Sequence, residues 1–127
     1  MGIDPKEYSI RLEGEGIAEK TTYNEQKIKD SGVCILGNPE NQVTLKADKG
    51  EQITIGRSSD RDIVIDNQYI SRDHGVLSEE FYKHRGKNDA SVDGETVEAG
   101  DMKRFSEGVS EIELVEDMDV KAYVSQH

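Results

Sequence analysis

The chain has 127 residues, room for one ordinary domain. It carries 16 Lys+Arg against 27 Asp+Glu, a formal net charge of -11. That balance argues against a general binder of nucleic acid or anionic membrane, because positive charge holds those partners. Hydrophobic residues make up 33%, so some solvated segments are expected beside one core.

The single cysteine, Cys34, excludes an internal disulfide and a cysteine zinc cluster. His74, His84 and His127 lack the spacing of a histidine metal site. No metal and no cofactor is expected. No apolar run approaches the length of a membrane helix, and Met1 to Lys6 has no apolar signal core. The expected setting is reducing, intracellular and cytoplasmic.

In chain order, Tyr8, Ile10 and Leu12 alternate with Ser9, Arg11 and Glu13, the period of a half-buried strand. Ile17 to Ser31 offers only Ile17, Tyr23 and Ile28 among charged residues and reads as a polar connector, or a short helix at most. Val33-Cys34-Ile35-Leu36 is a continuous apolar run, as in a strand buried on both faces. Asn38-Pro39 marks a break. Alternation then resumes at Val43 and Leu45, Ile53 and Ile55, Ile63 and Ile65, Ile112 and Leu114, and Val120, Ala122 and Val124. Lys49-Gly50-Glu51 and Asp93-Gly94 are hairpin turn signals. Many short strands with frequent turns predict an all-β sandwich or barrel. The dense pattern sets a domain at 42–125, preceded by an N-terminal extension at 1–41 that is partly ordered and carries a polar segment at 19–30.

One window holds most of the functional information: Ile55-Gly56-Arg57-Ser58-Ser59-Asp60-Arg61-Asp62-Ile63-Val64-Ile65, followed by Ile70-Ser71-Arg72-Asp73-His74. The strand Ile63 to Ile65 is short, so the loops on either side of it cannot be far apart. They bring Arg57, Ser71 and Arg72 to one end of the sandwich. Arginine presents a planar fork of donors that suits phosphate oxygens, and serine adds a hydroxyl. Together they make a small anion pocket, distinct from a P-loop, whose GxxxxGK[ST] is absent.

This pattern resembles the forkhead-associated (FHA) domain, a β-sandwich of two twisted, mostly antiparallel sheets that recognises phosphothreonine in partner proteins. The resemblance covers Val43 to about Val124. It implies that Arg57 and Ser71 contact the phosphate, that Arg72 assists, and that Gly56 and His74 shape the loops. It further implies that Asn88, in the turn Lys87-Asn88-Asp89-Ala90, holds the main chain of the bound peptide. Asp89 and Ala90 depart from the Gly-Thr usual after that asparagine. An aspartate beside an anion pocket weakens binding or selects basic flanking residues. Arg61, Lys87 and Asp89 are therefore the specificity candidates. In some small regulatory FHA proteins a threonine pair in the N-terminal tail is phosphorylated. Thr21 and Thr22 are the matching candidates here, although ordinary linker residues are the simpler reading.

The functional expectation is phosphothreonine-dependent protein binding in intracellular kinase signalling. The partner is a phosphothreonine protein, a Ser/Thr kinase or its substrate, with neither nucleic acid nor membrane involved. The alternative is an FHA-like structural or assembly domain that binds independently of phosphate. Catalysis has no support: Ser71 and His74 are three apart without an oxyanion element or a third group, so no catalytic residue is expected.

Overall fold

The computed structural model describes residues 7–32, 39–105 and 109–126. Among them, thirteen strands form two sheets. The strands are β1 (Glu7–Glu13), β2 (Thr21–Tyr23), β3 (Ile28–Asp30), β4 (Gln42–Asp48), β5 (Ile53–Gly56), β6 (Ile63–Ile65) and β7 (Gly75–Leu77). They continue as β8 (Phe81–His84), β9 (Ala90–Val92), β10 (Glu95–Val97), β11 (Met102–Arg104), β12 (Val109–Glu113) and β13 (Lys121–Gln126). A four-residue helix, α1 (Ile17–Lys20), and a 3-10 turn at Pro39–Asn41 complete the elements. The apolar run Val33–Leu36 lies outside the described residues.

One sheet has the order β10-β9-β12-β13-β1-β4-β3, the other β11-β8-β7-β5-β6-β2. Every described pairing is antiparallel except β5 with β6. Period-two patterning explains the layers. In β1, Tyr8, Ile10 and Leu12 are fully buried while Ser9, Arg11 and Glu13 are only partly covered. They meet Ile53, Ile55, Ile63 and Ile65 of the other sheet in one apolar cluster. The Asp93-Gly94 hairpin takes positive φ at both positions, 50° and 87°, as the two-residue turn requires.

The described part of the first 41 residues is built into the two sheets. β1 lies inside a sheet, between β13 and β4, β2 edges the other sheet beside β6, and β3 pairs with β4. The polar segment 19–30 is thus mostly folded. Its isolated apolar residues suffice because an edge strand needs to bury only one face: Ile28 is the residue buried within it, and Ile17 of α1 is buried just before it.

Candidate functional site

The site lies where three loops meet at one end of the sandwich. β5 and β6 run parallel, and β7 returns antiparallel to β5. The chain after β6 must therefore cross above the end of β5 before it enters β7. The crossing is fixed by main-chain bonds. The Arg57 amide donates to the Ser71 carbonyl (3.0 Å), and the Ser58 amide donates to the Arg72 carbonyl (3.3 Å). Gly56 is obligatory at the crossing: a Cβ there would lie 1.9 Å from the Arg72 carbonyl oxygen.

The structure brings Arg57, Ser71, Arg72 and Lys87 together around this crossing. Arg57 uses its Nε–H on the Ile70 carbonyl (3.2 Å), which orients the guanidinium and leaves the terminal nitrogens as donors. The Ser71 hydroxyl accepts from the Lys87 amide (2.9 Å), so the third loop is joined to the second. Among the described residues Arg57, Arg72 and Lys87 form no ion pair, whereas Arg61 is engaged by Asp60 and Asp73 and Arg85 by Asp73. Arg61, a specificity candidate, is thus already occupied. Hydrogen bonds from Arg61 and Ser58 hold the pKa of the Asp60 carboxyl at about 2.

His74 explains the loop's shape. It is fully buried. Its Nδ1 accepts from the Ser71 amide (3.0 Å), and its Nε2 faces the Leu114 carbonyl (2.5 Å). A carbonyl only accepts, so the proton sits on Nε2 and the ring is neutral. Desolvation by burial lowers its pKa to about 4. A neutral ring with both nitrogens occupied is a brace and has no lone pair left for acid-base chemistry.

Asn88 is exposed, and its side-chain amide reaches the Tyr69 carbonyl at 3.4 Å. It stands at the mouth of a cleft of about 350 Å³ that Tyr69, Asp89, Val115, Glu116, Asp117 and Met118 also line. The Asp89 carbonyl accepts from the Glu116 amide (2.8 Å), and Ala90 is buried at the start of β9. Thr21 and Thr22 do not sit on a free tail. They pair with Ile65 and Val64 inside β2, where Thr22 is exposed and Thr21 partly covered.

Sequence reasoning missed three residues. Asp73 ties two loops through Arg61 and Arg85. Asp62, 8% exposed, accepts from the Thr54 amide and hydroxyl and from Asn24. Burial alone would raise its pKa, but these bonds and Lys27 hold it below the ordinary value. His84 is buried beneath Asn88. A signal existed for it, since His84 stands two residues after Tyr82 in a strand period, but the basic neighbours Lys83 and Arg85 hid it.

The family model for the FHA domain matches residues 53–109. No curated protein matches the chain in sequence. Solved structures share the fold at low identity. An FHA domain studied for phosphothreonine-dependent interactions is 16% identical with a TM-score of 0.54, covering 94% of this chain and 97% of that one. The MEK1 FHA domain is 15% identical with a TM-score of 0.56, covering 93% and 89%. The N-terminal FHA domain of S. cerevisiae Rad53p, in complex with a phosphothreonine peptide, is 15% identical with a TM-score of 0.51, covering 80% and 92%. Outside the matched window, β1, β3 and β4 on one side and nearly all of β12 and β13 on the other complete the larger sheet, and β2 edges the smaller one. Residues 53–109 of this chain thus match the FHA domain in sequence, and the sandwich they belong to, shared in fold with solved FHA domains, continues past them in both directions.

Proposed function

We propose that the chain is a phosphothreonine-dependent protein-interaction module working in intracellular kinase signalling, downstream of a Ser/Thr kinase. The observation that carries this reading is the convergence of Arg57, Ser71 and Arg72 across the β5–β7 crossing, with both arginines unpaired by any carboxylate among the described residues. Arg57 and Ser71 ligate the phosphate, Arg72 and Lys87 supplement them, and Asn88 holds the peptide main chain. The partner is a phosphothreonine protein, either such a kinase or one of its substrates. The FHA neighbour seen with a phosphothreonine peptide supports the same reading.

Each charge-assisted hydrogen bond contributes about 1.5–3 kcal/mol net, so two or three of them make the phosphate necessary. A buried threonine methyl adds roughly 0.8 kcal/mol over serine. Asp89 on the cleft beside Asn88 favours a basic residue in the flanking peptide. Phosphate-independent assembly is the competing outcome. Titration of phosphothreonine peptides against their unphosphorylated and phosphoserine twins separates the two. The phosphothreonine form should bind at least about tenfold more tightly than the unphosphorylated one, a factor that corresponds to about 1.4 kcal/mol, and about fourfold more tightly than the phosphoserine one; Arg57→Ala should abolish the preference for phosphate. Equal affinity for phosphorylated and bare peptides would assign the domain to assembly instead.

A further inference from the structure

Two histidines meet beneath the recognition loops. The rings of His74 and His84 pack edge to face, 5.0 Å apart at 79°, and both are fully buried. The family resemblance gives His74 its role as a brace; it says nothing of His84. His84 closes β8 with its ring directed inward. Its Nδ1 lies 2.9 Å from the buried Tyr82 hydroxyl, and its Nε2 lies 2.5 Å from the Asn88 carbonyl. Because that carbonyl can only accept, the His84 proton belongs on Nε2, and Nδ1 accepts from the Tyr82 hydroxyl.

The connection between His84 and Asn88 is closed down on the rings. A Cβ at Gly86 would lie 2.7 Å from His74 Nδ1 and 2.9 Å from His84 Cε1. The two rings therefore brace different loops. His74 takes the Ser71 amide, and His84 holds the Asn88 main chain. The Asn88 side chain has only a 3.4 Å contact of its own to the Tyr69 carbonyl, at the long limit for such a bond. Its direction is thus set from the backbone.

We propose that His84 is a positioning residue for peptide recognition: by donating Nε2–H to the Asn88 carbonyl, it fixes the turn that presents the Asn88 amide to the main chain of the bound phosphopeptide. The proposal rests on the phosphopeptide reading above. It separates two functions in one site, with Arg57 and Ser71 reading phosphate and the His84–Asn88 pair reading the chain that carries it.

The test uses the full chain and a phosphothreonine peptide selected from an oriented library on the wild type. His84→Leu should weaken that peptide about fivefold to tenfold, the range of one lost hydrogen bond. His84→Gln, which can still donate to the carbonyl, should stay within about twofold of wild type. In an Asn88→Ala background, His84→Leu should cost nothing further, a non-additivity that a merely structural residue does not produce. Amide NMR spectra check that each variant folds; His84→Met is the second donorless variant if the leucine form does not. Long-range proton–nitrogen NMR on the wild type reads the tautomer without any ligand, and Nε2–H is expected. Unchanged affinity in the donorless variants, an equal loss with Asn88 removed, or a proton on Nδ1 overturns the proposal. Where Arg57→Ala still abolishes binding in that case, the phosphopeptide reading stands alone. Where no library peptide binds the wild type better than its bare twin, both fall together.

Discussion

Gly56 shows how a single missing Cβ sets the geometry of the pocket. The Arg72 carbonyl occupies the space a side chain would need, and the obstacle is backbone, which cannot swing aside. Gly56→Ala should therefore push the two loops apart, lower the melting temperature and weaken phosphopeptide binding together. A variant of wild-type stability and affinity would show that the crossing is looser than described. His74 makes a prediction of another kind. Its folded-state pKa, about 4, lies below its ordinary value of 6.5, and burial also lowers that of His84. The folded state thus favours the neutral rings. Their contribution is complete above pH 6.5 and is lost as pH falls from 6.5 toward 4, while the unfolded chain takes up protons. At about 1.36 kcal/mol per unit, His74 alone accounts for roughly 3 kcal/mol. Urea titrations at stepped pH should show stability falling across that window. A flat profile between pH 6.5 and 4 would mean that the ring is not desolvated.

At the level of elements, the strands that follow simple alternation were legible. β1, β4, β5, β6, β12 and β13 each bury alternate residues over most of their length, and the Asp93-Gly94 turn announced itself. β2, β3, β10 and β11 were not legible, because three-residue edge strands bury one side chain or none and so carry no period. The dense alternation that marks residue 42 leaves out β1 for a related reason. Apolar alternation becomes dense at Val43, but β1 belongs to the same sandwich, through pairing on both of its edges. A fragment starting at residue 42 removes Tyr8, Ile10, Leu12, Ile17 and Ile28 from the core. Large-to-small losses in a core cost about 2–5 kcal/mol each, and a domain has only about 5–15 kcal/mol in total. The fragment should show no cooperative thermal transition by circular dichroism. A sharp transition in it would show that the sandwich holds without β1.

Across the whole molecule, the acidity is unevenly placed. Between Arg57 and Lys87 there are six basic and six acidic residues, and the rest of the chain carries 10 against 21. The pocket end is neutral and bears Arg57 and Arg72, which form no ion pair among the described residues, on an acidic body that disfavours stray polyanions. The placement of Gly56, Arg57, Ser71 and His74 around the crossing was readable from spacing, because the strands fix the ends of the loops that carry them. The supporting set of Asp62, Asp73 and His84 was not readable, since each acts through partners that sequence spacing does not reveal. Separation along the chain also governs how the protein comes to exist. Tyr8 pairs with Gln126, and the His74 proton is held by the carbonyl of Leu114. Contacts of such separation form late and slowly, after the chain between them has been brought to order. During synthesis the arginine and serine loops emerge well before the strands that brace them. The proposed phosphate pocket should therefore become able to bind only once β12 and β13 have been made and β13 has closed against β1, a delay that topology alone imposes.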